Sequence, residues 1–205
     1  MKSQIIILIV ITAMFISTNI FAQNIDPYNN GSKYAYGENA GWFNFKPAQG
    51  NGVTLHGGKV SGYAWQENIG WINLSPASYG GVTYDSGWNL SGYAWGENIG
   101  WINFNPTVPG DSNDYGVSID PNGNFGGWAW GENIGWIHFS STAPVNYGVI
   151  ACVVGFDDLY HFSQQWLMNG ILSADLDHST HVDFVDYSIL ASDWLDFCPD
   201  NWSLQ

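Results

Sequence analysis

Arginine is absent from this 205-residue chain, and lysine and arginine together number 4 against 18 acidic residues. A chain this poor in cations has no basic face to neutralise phosphates. Nucleic acid is therefore not expected as a partner, nor are anionic membrane surfaces. Cysteine is nearly absent, with Cys152 and Cys198 the only two. Beyond the N-terminus no segment approaches the roughly 20 consecutive apolar residues that a spanning helix needs, so no membrane insertion is expected there.

The apolar run that does exist is short and sits at the start. Lys2 precedes Ile5 to Ile16, and Ile20-Phe21-Ala22 offers a small-residue cleavage site before Gln23. Met1 to Ala22 reads as a secretory signal peptide, with a membrane anchor as the alternative that its length disfavours. The expectation is a secreted or cell-surface protein beginning near Gln23. In such a compartment an isolated cysteine pair is most simply a disulfide; two free thiols or half of a metal site are the alternatives.

What is present is repetition. Tyr34-Ala-Tyr-Gly-Glu-Asn-Ala-Gly-Trp-Phe-Asn-Phe45 returns as Tyr63 to Leu74, Tyr93 to Phe104 and Trp128 to Phe139. Trp42, Trp71, Trp101 and Trp136 mark the copies at intervals of 29, 30 and 35 residues. Each copy is one unit that cannot bury its apolar face alone. Before each of the last three lies a second element: Gly52-Val-Thr, Gly81-Val-Thr and Gly116-Val-Ser.

β-branched and aromatic residues bounded by Gly, Asn, Asp and Pro make these pieces strands, about three per unit, with Gly-Glu-Asn-Ile-Gly as a hairpin turn. The fold class expected for residues 23–150 is mainly β: a four-repeat sheet domain, either an open stack or a closed, propeller-like ring or barrel. One detail favours closure. The first copy lacks a Gly-Val strand before it, while the fourth is followed by Tyr147-Gly-Val-Ile150, which could be donated to the first. Large aromatics usually pack inside, so the tryptophans are expected in the core; flat platforms for sugar rings are the alternative.

Catalysis is not expected. Glu38, Glu67, Glu97 and Glu132 occupy the same turn of equivalent units, where accepting backbone N–H bonds explains four copies better than acid–base work. His138 stands where the other copies have Asn44, Asn73 and Asn103, and reads as a structural variant.

Residues 151–205 differ in composition: nine Asp, no Glu, no Lys and no Arg. They contain a duplication. Phe156, Leu159, Phe162 and Trp166 recur as Phe184, Tyr187, Leu190 and Trp194, a stripe along one helix in each half. Before the second helix, Asp175, Asp177, Ser179, Asp183 and Asp186 fall at loop positions 1, 3, 5, 9 and 12, and His181 at position 7 would offer its carbonyl. That is the EF-hand spacing, and such hard oxygen donors suit Ca²⁺. Val182 is expected between loop and core.

With its duplicated loop–helix unit, Asp at position 12 and a Val-Asp-Phe-x-Asp sequence entering the helix, this segment resembles a bacterial type I dockerin. The resemblance implies that Asp175, Asp177, Ser179, His181, Asp183 and Asp186 hold an EF-hand-like calcium ion. It also implies a protein–protein interaction with a cohesin-like protein or other surface scaffold, in the company of polysaccharide-degrading enzymes. Thr180 departs from the pattern by standing where Gly is usual. The first half departs further: counting back from Asp158 puts Tyr147, Val149 and Ala151 at its ligand positions, so one calcium is expected, not two. The function expected is a secreted, non-catalytic repeat protein that docks through calcium. The alternative is a carbohydrate-binding accessory protein, with a glycoside hydrolase further behind.

Overall fold

The computed structural model describes residues 24–204 except 51, 110, 112, 114, 200 and 201; the signal peptide expected at Met1–Ala22 lies outside the described residues. Each repeat core forms one hairpin: Tyr34–Gly37 with Gly41–Asn44, Tyr63–Gln66 with Gly70–Asn73, Leu90–Gly96 with Gly100–Asn103, and Trp128–Gly131 with Gly135–His138. Neighbouring hairpins pair in turn, Asn44 opposite Trp65, Asn73 opposite Trp95 and Asn103 opposite Trp130. His138 then pairs with Tyr36, which joins the last hairpin to the first. The eight strands form a closed antiparallel barrel, so the ring has no free edge to template aggregation.

Alternation decides what fills it. Inside, a small residue faces a large one across each hairpin: Ala35 opposite Phe43, Ala64 opposite Ile72, Ala94 opposite Ile102, Ala129 opposite Ile137. All eight are buried. Small-against-large pairing is how side chains pack a narrow barrel without voids. One layer further, Phe139 gathers Phe45, Phe104 and Phe125 at centroid distances of 5.4, 5.7 and 5.8 Å.

A second tier is built from the Gly-Val strands. Thr54–His56 pairs with Lys59–Ser61, Val82–Tyr84 with the start of Leu90–Gly96, and Ser118–Ile119 with Phe125–Gly126. The chain crosses tightly here. At Gly62, Gly92 and Gly127 (φ +86°, +90° and +81°) a Cβ would lie 2.0–2.1 Å from the carbonyl oxygen of Gly52, Gly81 or Gly116, so only glycine fits. The missing strand of the first unit comes from the C-terminal end: Val149 bridges Lys33, the residue preceding the Tyr34 strand, as Val82 bridges Gly92. Asn24 completes the tier. Its side chain donates to Leu55 O at 2.7 Å and accepts from Leu55 N at 2.9 Å, a side-chain amide standing in for a strand.

The acidic segment carries the two helices, α1 (Phe156–Gln165) and α2 (Phe184–Ser192). They share a separate core of Val154, Phe162, Ala174, Val182, Leu190 and Leu204. Cys152 and Cys198 are disulfide-bonded, with Cα atoms 5.3 Å apart. Beside that bond Phe197 leaves the helical core and enters the barrel's, against Tyr84 and Trp88 at 5.1 Å each. Among the described residues no helix is long and apolar enough to cross a membrane.

The helical stripes are buried only in part. Phe162 and Leu190 are inside, but Phe156 is 78% exposed and Phe184 75%. The module is too small for both ends of each stripe to find cover.

Candidate functional site

The tryptophans are not in the core. The face opposite Ala and Ile points outward, and it carries Tyr34, Tyr36 and Trp42 in the first hairpin, Tyr63, Trp65 and Trp71 in the second, Tyr93, Trp95 and Trp101 in the third, and Trp128, Trp130 and Trp136 in the fourth. None of the twelve is buried, and Trp42, Trp71 and Trp130 are 42%, 39% and 37% exposed. The expectation of core packing fails for a geometric reason. A barrel of this size has no interior room for four sets of indoles, so the aliphatic face goes in and the aromatic face goes out.

The outer rings hold one another in place. Within each hairpin the second and third aromatics meet at a steep angle: Tyr36 and Trp42 at 4.9 Å, Trp65 and Trp71 at 4.8 Å, Trp95 and Trp101 at 4.6 Å, Trp130 and Trp136 at 4.9 Å. Such pairs contribute about 0.5–1.5 kcal/mol beyond burial and hold the rings in place.

Clefts run between adjacent hairpins. The one between the second and third holds Tyr63, Trp65, Trp71, Asn73, Trp95 and Glu97 and measures about 760 Å³. The one between the first and second holds Trp42, Asn44, Trp65, Glu67 and Asn68 and measures about 540 Å³. Aromatic floors with carboxylate and amide rims suit an uncharged ligand with flat apolar faces and polar edges.

The four turn glutamates are exposed and make no side-chain hydrogen bond among the described residues. The backbone-binding role expected of them belongs to their neighbours. Asn98 donates to Ile69 O at 2.8 Å, Asn133 to Ile99 O at 3.0 Å, and Asn39 to Ile134 O at 3.2 Å, each linking a turn to the preceding one. In the second copy Gln66 takes over, donating to Ala40 O and accepting from the backbone N–H of Asn68 and Ile69. His138 lies flat on Trp128, with centroids 3.8 Å apart, and its Nδ1 is 3.2 Å from the Tyr147 hydroxyl. Burial pushes its imidazole below the ordinary value.

In the helical module the loop between the helices folds around its own acids. Asp175, Asp177 and Asp186 bring one ligand atom each within 4.8 Å of the others. Asp186, fully buried, accepts from Leu176 N, Asp177 N and Asp183 N. Asp175 accepts from Ser179 N and Thr180 N, each at 2.9 Å. The Asp177 carboxyl is held below its usual value, chiefly by the Ser179 hydroxyl. The Ser179 hydroxyl and the His181 carbonyl adjoin at 3.2 Å. Asp183 stands apart: its carboxylate caps α2 by accepting from Val185 N at 2.7 Å. Thr180 takes φ +73°, the conformation for which Gly is usual. Val182 is buried and pairs back to the segment after α1 through Leu167 N and Met168 O.

The donor set fits a hard divalent cation. It is all oxygen, and no Lys or Arg lies between residues 151 and 205 to offset three converging carboxylates. The first half has no such loop. Tyr147 pairs with Ser141, Val149 bridges Lys33 and Ala151 bridges Ile25, and Asp158 is satisfied by Gly155 N at 2.9 Å and the Trp202 indole at 2.7 Å.

No family model, curated protein or solved structure matches the chain.

Proposed function

We propose that this protein is an exported, non-catalytic carbohydrate-binding accessory protein. Its barrel takes a neutral polysaccharide on the outer aromatic clefts. Its helical module binds one Ca²⁺ and docks to a cohesin-like protein or other surface scaffold. The observation that carries this reading is the outward placement of all twelve repeat aromatics. Indole and phenol faces are electron-rich and attract the C–H face of a pyranose, while Asn and Glu at the rim meet its hydroxyls. A formal charge of −14 favours neutral over acidic glycans.

Glu38, Glu67, Glu97 and Glu132 occupy equivalent turns of four hairpins, and four equivalent copies favour a scaffold role over a single acid–base pair for hydrolysis. In the helical module Asp175, Asp177, Asp186, the Ser179 hydroxyl and the His181 carbonyl would hold the ion, which supplies charge neutralisation and loop order, while Asp183 keeps to the α2 cap. The exposed Phe156 and Phe184 favour a partner protein on that module, as a display scaffold would also need. The test is retention of the full chain on insoluble neutral polysaccharides with calcium present. Retention on none would overturn the glycan reading, and release of sugar would overturn the non-catalytic one.

A further inference from the structure

Three of the four equivalent tryptophans carry a loop tyrosine over them. Tyr79 lies 5.0 Å from Trp101, Tyr115 lies 5.3 Å from Trp136, and Tyr147 lies 5.1 Å from Trp42. In each case the tyrosine comes from the loop that follows one hairpin and covers the tryptophan of the next. The loop after the first hairpin, Lys46-Pro-Ala-Gln-Gly-Asn-Gly-Val53, runs in register with Ser75-Pro-Ala-Ser-Tyr-Gly-Gly-Val82. Gly50 therefore stands where Tyr79 stands. It occupies the same place over the ring, since a Cβ on Gly50 would lie 3.3 Å from Trp71. It also shares the backbone conformation, φ +85° against +58° at Tyr79.

The copy without a tyrosine borders the larger of the two clefts described above, about 760 Å³. We propose that the place over Trp71 left open by Gly50 is the primary subsite of the barrel and takes one hexopyranose ring of a neutral polysaccharide chain. This rests on the glycan reading above and narrows it to one of four equivalent positions. In the other three copies the fold sets a six-membered ring against that tryptophan, edge to face for Tyr79 and Tyr147 at 83° and 86° and tilted at 39° for Tyr115, so a ring of that size is what the place accepts. The rim separates a sugar from an aromatic side chain of a partner. Asn73 spends its Oδ1 on Ser75 N, which leaves its amide N–H groups to donate, and the Glu97 carboxylate is a free acceptor among the described residues. A sugar ring carries several hydroxyls and can meet both at once, whereas a tyrosine offers a single hydroxyl and a phenyl ring none.

The test uses the full chain with calcium and soluble neutral β-glucans and mannans as probes in titration calorimetry. Wild type is expected to bind at one site. Gly50→Tyr puts the tyrosine of Tyr79 at the equivalent position and, measured well below its melt, should weaken binding at least about tenfold; φ +85° and a Cβ 3.3 Å from Trp71 mean the melting temperature falls with it. Tyr79→Gly should open a second site over Trp101 and raise the stoichiometry from one to two. Wild-type affinity in Gly50→Tyr would overturn the subsite and leave the polysaccharide reading standing. No binding by wild type would overturn both. Should Gly50→Tyr fail to fold, a stoichiometry still at one in Tyr79→Gly overturns the subsite. Displacement of the glycan by a tyrosine-containing peptide at equal concentration would assign the cleft to a protein partner instead.

Discussion

Asn39, in the turn of the first hairpin, donates to the carbonyl of Ile134 in the turn of the last, 95 residues away. The same bond recurs from Asn98 to Ile69 and from Asn133 to Ile99, and Gln66 supplies the fourth to Ala40. The turns are therefore tied head to tail around the barrel mouth. Removing one link leaves a carbonyl short of a partner. Asn39→Ala, Asn98→Ala and Asn133→Ala should each cost about 1 kcal/mol, while Asn68→Ala should cost almost nothing because Gln66 holds that link. Urea denaturation compares the four, and equal losses at all four would refute the assignment.

The inward and outward faces predict opposite sensitivities. Phe139→Ala empties the centre of the aromatic layer and should cost about 3–5 kcal/mol. Trp71→Ala removes a ring already 39% exposed and leaves a hollow open to water, so about 1–2 kcal/mol is expected. Thermal melts of the two variants decide between these and a core role for Trp71.

His138 makes stability depend on pH. Its folded value lies below the ordinary 6.5 because burial opposes the charged form. The unfolded chain then binds the proton more readily. The contribution is fully present above the unfolded value and is lost as pH falls through the folded one. His138→Asn restores the residue of the other copies and should reduce the loss of stability between about pH 7.5 and pH 5. The comparison is made in chelator so that the acidic loop does not contribute. Parallel curves for the two proteins would mean that His138 does not titrate in this range.

Calcium titration should find one site. Asp175→Ala should abolish it. Asp158→Ala should leave ion binding but destabilise the helical module, because the Trp202 indole loses its acceptor. Two sites of similar affinity would contradict the structural reading of the first half.

The disulfide joins residues 46 apart in sequence. In the chain-entropy model it should stabilise by roughly 3–4 kcal/mol. Cys152→Ser with Cys198→Ser should also bind calcium more weakly, because ion binding must then order a looser module. Calorimetry with and without reductant separates the two effects.

Much of the barrel was legible from the chain. The repeat gave its units, Gly-Glu-Asn-Ile-Gly gave its turns, and the orphan Tyr147-Gly-Val-Ile150 pointed to closure. The facing of the tryptophans was not legible, because Ile72 and Trp71 both look like core residues and strand alternation separates faces without saying which is inside. That choice belongs to barrel volume, a property of all eight strands at once. The role of the turn asparagines was hidden for a related reason: Asn98 bonds to another repeat, and its own repeat carries no trace of the partner. In the acidic module the loop spacing led directly to Asp175, Asp177 and Asp186, whereas nothing local linked Trp202 to Asp158, 44 residues away.

Closure by a strand from the far end also freezes copy number. An open solenoid can gain or lose a repeat at its ends, since each unit touches only its neighbours. Here Val149 belongs to the first unit and His138 pairs with Tyr36, so every hairpin has two neighbours and none is terminal. Deleting one hairpin would leave six strands around Ala, Ile and Phe side chains cut to fill eight. Duplicating one would open a ten-strand ring that the same side chains could not fill. Recombination between the near-identical repeats, which lengthens and shortens solenoids freely, should therefore yield no folded product from this sequence.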